Sequence, residues 1–290
     1  MFAGLIFQRQ TSKQPYLPFK SETAGLGFNG NNNFSNLHKR CITAVILGPA
    51  VIALIFAGFP YLNIFIGFVV SMMWFEWGRM VKPDHSRLLS LFCAILIASV
   101  LFASLEIWSL AWTSMVLGSC TVWMLFRVLK LNFSLLSGAA FFGFGTIGLS
   151  MQWLQTFPSN GSILLLWLLV LVWATDSGAY FFGKLIGGPK LAPSVSPGKT
   201  WAGLIGGIFC SALWSTLAGL HFGIASKIEL LGLGIILALL AQFGDLLISK
   251  AKRKFMVKDT GSLLPGHGGL LDRVDGLLLT VPTFTVFLLV

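Results

Sequence analysis

Charged side chains are scarce in this 290-residue chain. Only 10% of the residues are Asp, Glu, Lys or Arg, whereas 56% are hydrophobic, and the mean hydropathy is +0.83. A soluble domain carries roughly 25% charged residues. A chain with so little charge cannot cover its surface with groups that water solvates. The composition therefore excludes an ordinary soluble domain and predicts a protein whose solvent is lipid.

Cysteine is also rare. The four cysteines are Cys41, Cys93, Cys120 and Cys210, and no two of them form a Cys-x-x-Cys pair. Each lies in or beside an apolar run. Neither a disulfide framework nor a cysteine metal site is indicated, and we expect the four to be buried as small apolar side chains.

Acidic residues are half as numerous as basic ones, with ten Asp and Glu against 20 Lys and Arg, which gives a net charge of +10. In a soluble protein this excess would suggest a nucleic-acid partner. Here the basic residues fall in short loops between apolar runs. We therefore expect them to face anionic membrane lipid or an anionic ligand, and we expect no nucleic-acid partner.

The start of the chain differs from the rest. Residues 1–37 carry polar stretches rich in Lys, Gln, Ser, Pro and Gly and show no sustained hydrophobic period, so we expect a mobile cytoplasmic tail. The short apolar start has no basic region before it, which argues against a cleaved signal peptide. We divide the remainder into N-terminal transmembrane helices, 38–160, and a C-terminal transmembrane region, 161–290.

Apolar runs of membrane-spanning length fill the chain beyond this tail. A helix needs about 20 residues to cross the hydrocarbon, and it satisfies its backbone polar groups internally. The runs that fit are 41–59, 61–78, 88–105, 108–126, 134–154, 162–183, 201–222, 228–249 and 269–290. The sequence therefore predicts an all-α, polytopic helical membrane protein with about nine transmembrane helices.

Basic residues are distributed unevenly between the two sides of this arrangement. If the N-terminus is cytoplasmic, every one of the 20 Lys and Arg residues except Lys227 lies on the cytoplasmic side. Cytoplasmic loops are enriched in Lys and Arg. Because the gain or loss of one span would scramble this alternation, the asymmetry supports both the number of spans and a cytoplasmic N-terminus.

Acidic residues within apolar runs are informative because the bilayer penalises them. Those inside runs or at their ends are Glu76, Asp176, Asp245, Asp272 and Asp275. In the arrangement above all of them fall in the cytoplasmic halves of their helices, whereas a transporter more often places such groups near the midplane. For Glu76 we expect a structural ion pair with Arg79. For Asp176, structural pairing and a functional role both stay open.

A polar segment near the C-terminus combines carboxylates, a hydroxyl and cations. Asp245, Ser249 and Lys252 are spaced to share one helix face. A proline and glycines then return the chain to the membrane, with Asp272 and Asp275 three residues apart. Carboxylates on facing helix ends beside many cations suit a divalent metal bound to a polyphosphate. Taken alone, the basic run would equally suit an anchor on anionic lipid.

A second polar stretch lies upstream. We expect Ser196, Lys199 and Thr200 at a helix start, either holding phosphate or as an ordinary helix cap with a snorkelling lysine. It is not a P-loop, because the glycine spacing differs and no strand is expected before it. Gly203 and Gly207 form a Gly-x-x-x-Gly pair that we interpret as helix packing.

These segments closely resemble the signature of phosphatidate cytidylyltransferases, which make CDP-diacylglycerol from CTP and phosphatidate. The signature reads Ser-x-apolar-Lys-Arg, four residues, Lys-Asp, and then Pro-Gly-His-Gly-Gly-apolar-x-Asp-Arg-apolar-Asp. The matching residues are Ser249, Lys252, Arg253, Lys258, Asp259, Pro265, Gly266, His267, Gly268, Gly269, Asp272, Arg273 and Asp275. Ala251 departs from it in size. The upstream stretch resembles Ser-Pro-Lys-Lys-Thr-Trp-Glu-Gly, with Gly198 and Ala202 as departures, and Ala202 puts a carboxylate role there in doubt.

The resemblance covers roughly 38–290 and implies an enzyme, a nucleotidyltransferase of a bacterial-type inner (plasma) membrane whose active site faces the cytoplasm within 161–290. It implies CTP, phosphatidate and membrane lipid as partners, and a homodimer is compatible with it. The implied catalytic residues are Asp245, Asp272, Lys252, Arg253 and Lys258. The implied substrate-binding residues are Asp176, Ser196, Lys199, Thr200, Ser249, Asp259, His267 and Arg273. The implied ligands of Mg²⁺, and of a second cation if two are used, are Asp245, Asp272 and Asp275. His267 is otherwise a turn residue.

Two rival functions remain to be weighed. An ion-coupled transporter that uses intramembrane carboxylates predicts inverted repeats and midplane charges, and the sequence shows neither. A lipid head-group transferase that consumes a CDP-activated lipid would carry a different multi-Asp helix motif, which this sequence lacks.

Overall fold

The structure is a computed structural model that describes residues 45–81, 86–129, 134–158, 160–261 and 268–290, with side chains described from residue 92 onward in the second range. The predicted tail, residues 1–37, lies outside the described residues, and so does His267.

Helices and one short β-hairpin make up the described chain. In chain order they are α1 (Val45–Ala57), α2 (Tyr61–Val81), α3 (Ser86–Ser104), α4 (Trp108–Val128), α5 (Ser134–Gln155), α6 (Gly161–Leu185), β1 (Lys190–Ala192), β2 (Ser196–Thr200), α7 (Trp201–His221), α8 (Lys227–Lys254), α9 (Leu271–Val274) and α10 (Leu277–Leu289).

Within the described residues, 6 helices are long and apolar enough to cross a membrane, namely α2, α4, α5, α6, α7 and α8. Shorter apolar helices are α1, α10 and the Phe92–Ser104 part of α3. The prediction of an α-helical, polytopic membrane protein is confirmed at this level. The count of about nine spans stays a prediction.

The outer surface of the helices is apolar. Ile228 is 84% exposed and Val128 is 76% exposed, and lipid solvates such side chains where water would not. Cys120 is exposed on this surface, whereas Cys93 and Cys210 are partly buried. The expectation that every cysteine is buried is therefore wrong for Cys120, because an apolar thiol in lipid needs no cover from the protein.

From α2 to α8, helices that follow one another in sequence pack together, and α10 packs against α5 and α8. The approach of α6 and α7 is especially close. A Cβ added at Gly203 would lie 2.7 Å from the carbonyl oxygen of Ala179, and one added at Gly207 would lie 2.8 Å from that of Thr175. A larger residue would push the helices apart, so the Gly-x-x-x-Gly pair serves helix packing, as predicted.

An aromatic cluster fixes α2 against α3 and α5. The ring of Trp74 meets those of Phe141 and Phe92 edge-on, with centroids 5.1 and 5.9 Å apart, and none of the three is more than 1% exposed. Each such contact adds about 0.5–1.5 kcal/mol beyond area burial. The cluster holds the end of α2 in place, and Glu76 follows Trp74 by two residues on that helix.

The segment before α7 is a strand, which corrects one prediction. Ser196 and Lys199 do not lie at a helix start but on β2, which pairs antiparallel with β1. Thr200 alone caps α7, where its hydroxyl accepts the N–H of Gly203 at 3.1 Å. The prolines of this loop oppose a helix, and strands of three and five residues are too short for their period to be recognised in the sequence.

Candidate functional site

Two lysine–carboxylate ion pairs lie where the end of α8 meets α9 and the β-hairpin. Lys199 Nζ is 2.6 Å from Asp245 Oδ2, and Lys252 Nζ is 2.6 Å from Asp272 Oδ1. The side chains of the second pair are only 11% and 8% exposed. The two carboxylates predicted to be catalytic, Asp245 and Asp272, are thus each neutralised by a lysine. One lysine comes from the upstream polar stretch and the other from the segment near the C-terminus.

One face of α8 carries the polar groups, as the residue spacing predicts. The hydroxyl of Ser249 donates to Asp245 Oδ1 at 3.1 Å, one helical turn along. Lys252 lies a further turn toward the helix end and reaches across to α9. The face therefore presents a carboxylate, a hydroxyl and an ammonium in a row that faces the loop.

Gln242 extends this face in the other direction, and the sequence analysis missed it. Its Oε1 accepts from Lys199 Nζ at 2.9 Å, and its Nε2 donates to Asp176 Oδ1 at 3.2 Å. Asp176 thus joins the site through an amide. A buried glutamine three residues before Asp245 in an apolar run was the available signal.

The carboxylate of Asp272 organises the loop that precedes it. Oδ2 accepts from the backbone N–H of Thr260 at 2.9 Å and from the N–H of Gly269 at 3.1 Å, and it lies 3.1 Å from the Thr260 hydroxyl, whose single proton is shared with Glu76. Oδ1 takes the ammonium of Lys252. Charge-assisted bonds of this kind are the strong ones, so Asp272 is held in one orientation.

A second carboxylate, Glu76 of α2, supports the same loop from behind. Glu76 is 4% exposed, and its Oε1 accepts the N–H of Leu270 at 2.8 Å. Its Oε2 accepts the N–H of Leu271 at 2.9 Å and the hydroxyl of Thr260 at 2.8 Å. Because the Thr260 hydroxyl also contacts Asp272, a single side chain links Glu76 to the ion-paired carboxylate.

The predicted pairing of Glu76 with Arg79 is therefore wrong. Arg79 instead lies over the ring of Phe75, 5.8 Å from its centroid. A carboxylate this deeply buried needs buried donors, and the loop before α9 supplies them. Those donors lie more than 180 residues away in sequence, which is why local spacing could not reveal them.

Three carboxylates gather beside the ion pairs. Asp176, Asp245 and Asp275 lie close enough for their charges to repel one another. Gly244 permits this, because a Cβ there would lie 2.5 Å from the carbonyl oxygen of Asp275. Across the described ranges, no three His, Cys, Asp or Glu side chains form a ready metal-binding group. Mg²⁺ typically takes one or two carboxylates and completes its shell with phosphate and water, so this donor set fits it when substrate is present.

Arg253 connects the end of α8 to the β-hairpin. Its Nε donates to the carbonyl oxygen of Val195 at 3.2 Å, and its Nη1 donates to that of Val257 at 3.3 Å. The guanidinium therefore fixes the hairpin turn relative to the loop, and it lies at the exposed edge of the site.

The other predicted residues are distributed around this centre. Lys258 and Asp259 are exposed on the loop, and Ser196 is half-buried on β2. Thr200 is 5% exposed, with its hydroxyl committed to the cap of α7. Arg273 follows Asp272 and acts electrostatically on Asp176.

A cavity of about 630 Å³ opens beside the site, between α1, α2, α5, α6 and the α9–α10 turn. Most of its lining is aliphatic or aromatic, and we call it the apolar cavity. Its polar end is formed by Asp176, Asp272, Arg273 and Asp275. A charged end on an otherwise apolar chamber suits an amphiphile with an anionic head group.

Comparison with known proteins agrees with this geometry. Residues 38–290 match the sequence profile of the Cytidylyltransferase family. The phosphatidate cytidylyltransferase of Brucella suis biovar 1 (strain 1330) is 34% identical over 256 residues, which is 87% of this chain and 93% of that protein. The phosphatidate cytidylyltransferase of Brucella abortus (strain 2308) is similar to the same extent.

Another relative is more similar to this chain over a shorter matched region. The phosphatidate cytidylyltransferase of Staphylococcus aureus (strain COL) is 43% identical over 145 residues, 49% of this chain and 55% of that protein. The family profile covers all of the residues described above. The chain therefore belongs to the cytidylyltransferase family.

Proposed function

We propose that this chain is a phosphatidate cytidylyltransferase, which transfers the cytidylyl group of CTP to phosphatidate and releases CDP-diacylglycerol and pyrophosphate. The observation that carries the proposal is the two lysine–carboxylate ion pairs beside an apolar cavity, whose charged end includes Asp272 of the more buried pair. Cations for a polyphosphate and a chamber for a lipid meet there. The names of the relatives point to the same reaction.

The reaction requires charge neutralisation more than proton transfer. A phosphate oxygen of phosphatidate attacks the α-phosphorus of CTP, and the bond from that phosphorus to the β-phosphate oxygen breaks. The nucleophile is already an anion, so no strong general base is needed, and alignment and electrostatic stabilisation supply the rate. Lys199 and Lys252 exchange their carboxylate partners for substrate phosphates, and Ser249 orients a phosphate oxygen.

The arginines and the loop residues complete the phosphate site. Arg253 and Arg273 lie on either side of the loop, and Lys258 projects from it. These side chains neutralise the leaving pyrophosphate, and Asp259 and His267 belong to the same substrate-binding loop. Ser196 and Thr200 position the hairpin that carries Lys199.

Mg²⁺ is the cofactor we propose, and Asp245, Asp272 and Asp275 would hold it, with Oδ1 of Asp272 released when Lys252 takes a substrate phosphate. When bound, it offsets the negative charge of the triphosphate and polarises the phosphorus that is attacked. Asp275 accepts the N–H of Gly276 at 2.9 Å through Oδ1. A second cation, if two are used, would share these ligands.

The apolar cavity is the proposed lipid site. Its walls come from α1, α2, α5 and α6, and its volume is within the range of about 300–1,000 Å³ that ligand pockets occupy. The acyl chains would lie among these helices, with the phosphate at Arg273. The sequence shows neither the inverted repeats nor the midplane charges that the transporter alternative predicts.

Conversion of phosphatidate by the purified protein tests the proposal directly. We expect the full chain in detergent or liposomes to release pyrophosphate only when both CTP and phosphatidate are present. Chelation of divalent ions should reduce the rate by at least about 10²-fold, and Mg²⁺ should restore it. ATP in place of CTP is the matched control. Equal rates with ATP, or full activity in chelator, would contradict the assignment.

We further propose that the membrane is a bacterial-type inner (plasma) membrane, with about nine spans, a cytoplasmic N-terminus and the site on the cytoplasmic face. In a background without the four native cysteines, Lys254→Cys should react with a membrane-impermeant maleimide only from the cytoplasmic side. Lys227→Cys, at the other end of α8, should react only from the opposite side. Labelling of both variants from one side would exclude this topology.

A further inference from the structure

A second cavity lies at the other end of the bundle from the ion pairs. It has a volume of about 320 Å³ and is bordered by the start of α2 and the ends of α3 and α5. Its polar lining is formed by Asn63, Ser104, Glu106, Gln152, Gln155 and Thr156, and none of the described residues that line it is basic. We call it the amide cavity. Along α2, Asn63 is about 20 Å from Glu76 at 1.5 Å per residue, so the two sites are separate.

One hydroxyl determines how the amides of this cavity point. Ser104 Oγ donates its proton to the carbonyl oxygen of Val100 at 2.8 Å, so it can only accept from other groups. It accepts from Asn63 Nδ2 at 2.8 Å and from Gln152 Nε2 at 3.1 Å. Both amides therefore turn their nitrogens to Ser104 and their oxygens away from it.

The two amide oxygens have no donor among the described residues. Asn63 Oδ1 and Gln152 Oε1 are buried without a hydrogen-bond partner. Gln152 is 2% exposed, yet it lines the cavity. Buried acceptors of this kind cost free energy unless a donor or a cation compensates them. Both residues line the amide cavity, so a ligand bound there would compensate both oxygens.

Glu106 brings a negative charge to the rim of the same chamber. It occupies a left-handed conformation, with φ 61°, in the turn that ends α3. The N–H of Ile107 bonds back to Phe102 at 2.9 Å, and that of Glu106 bonds to Ala103 at 3.0 Å. In this helix-ending motif the left-handed position usually belongs to glycine. Here the position belongs to a glutamate that lines the same cavity as the two uncompensated amide oxygens.

We propose that the amide cavity binds a divalent metal cation, with Ca²⁺ as the best fit. Asn63 Oδ1, Gln152 Oε1 and the Glu106 carboxylate are the protein ligands, and water completes the shell. Neutral amide oxygens with one carboxylate are oxygen ligands that Ca²⁺ accepts in flexible geometry, whereas Mg²⁺ demands an octahedron and keeps its water. With a single carboxylate, the dissociation constant falls in the range of about 10⁻⁴–10⁻³ M. The inference does not depend on the proposed reaction.

Thermal unfolding of the full chain in detergent tests this site. We expect 10 mM CaCl₂ to raise the Tm by about 3–6 °C, and MgCl₂ at the same concentration to raise it far less. Glu106→Gln should abolish the Ca²⁺-dependent shift while leaving turnover at the wild-type value. Asp245→Asn, at the other end of the bundle, should keep the shift, which shows that Ca²⁺ does not act through the catalytic carboxylates.

A variant that is expected to bind Ca²⁺ more tightly gives a test that does not depend on losing the Tm shift. Gln152→Glu places a second carboxylate in the cavity, so the Ca²⁺ concentration that gives half the shift should fall by about tenfold. Without Ca²⁺ this variant should unfold at a lower temperature than the wild type. If Gln152→Glu is destabilised and Ca²⁺ does not rescue it, the cavity holds water only. A shift with methylammonium but not with Ca²⁺ would overturn the metal assignment.

Discussion

Asp245→Asn and Asp272→Asn each reduce turnover by about 10²–10³-fold or more, the loss expected when a preorganised electrostatic contact is removed. Asn keeps the size of Asp but loses the charge that holds a divalent cation. Each substitution also leaves a lysine without its partner, because Lys199 and Lys252 lie 2.6 Å from these carboxylates. The measurement is the initial rate of pyrophosphate release on protein that remains monodisperse in detergent.

The ion pairs supply the control for this prediction. A carboxylate that served only to compensate its lysine would be dispensable once the lysine was neutral. The double variant Asp272→Asn with Lys252→Met therefore separates the contribution of the ion pair to stability from its contribution to turnover. We expect it to recover the Tm that Asp272→Asn loses, since a buried unpaired ammonium is removed. We expect it to recover no turnover. Wild-type rates in the double variant would show that the pair is purely structural.

A second control lies on the same helix. Glu229 forms a capping box with Ser226 at the start of α8, where it accepts the Ser226 N–H at 2.8 Å. Glu229→Gln removes a carboxylate from α8 at the end opposite to Asp245. Turnover of this variant should stay within about twofold of the wild type, because an exposed charge of this kind contributes little.

Helical periodicity was sufficient to predict the long helices and the polar face of α8. Asp245, Ser249 and Lys252 lie on one face because three and four residues are close to whole turns, and the structure shows the contact between Asp245 and Ser249. The glycine pair of α7 was recognised for the same reason, since it recurs at a spacing of four. Apolar runs of about 20 residues likewise revealed the long helices before any contact was known.

Partners distant in sequence could not be predicted. Lys199 and Asp245 are 46 residues apart in sequence, and they pair because the β1–β2 hairpin turns the chain back before α7. The strands of that hairpin are too short to show a hydrophobic period in the sequence. Gln242 was overlooked because a neutral amide in an apolar run is unremarkable until its two ends meet Lys199 and Asp176. In each case the deciding information is which helix ends meet, which local spacing does not contain.

The hydrogen bonds of Glu76 are the clearest example of contacts that could not be predicted from the sequence. They lead to the last prediction. The two oxygens of Glu76 accept three hydrogen bonds from the loop before α9 and the first residue of that helix. The Thr260 hydroxyl, one of the three donors, also contacts Asp272. Glu76 touches neither ion pair itself, so we interpret it as a positioning residue. A small displacement of Asp272 and of the loop would misalign the substrate phosphates, and a misplacement of about 1 Å can cost about 10²-fold in rate.

Glu76→Gln should therefore lower kcat by about 10²-fold while the protein stays folded. Glutamine retains the shape of glutamate but offers one oxygen in place of two, so its amide nitrogen must face a backbone N–H or the Thr260 hydroxyl. Ser71→Ala, a buried polar residue on the same helix away from the loop, is the matched control and should leave kcat unchanged.

A double-mutant cycle distinguishes positioning from a general loss of stability. Thr260→Val removes the hydroxyl that joins Glu76 to Asp272 and keeps the branched shape of the side chain. If Glu76 acts through Thr260, the rate losses of Glu76→Gln and Thr260→Val are not additive, because each breaks the same link. The Tm of each variant is measured alongside its kcat. Additive rate losses, or a fall in kcat that matches the loss of folded protein, would show that Glu76 merely stabilises the bundle and does not align the site.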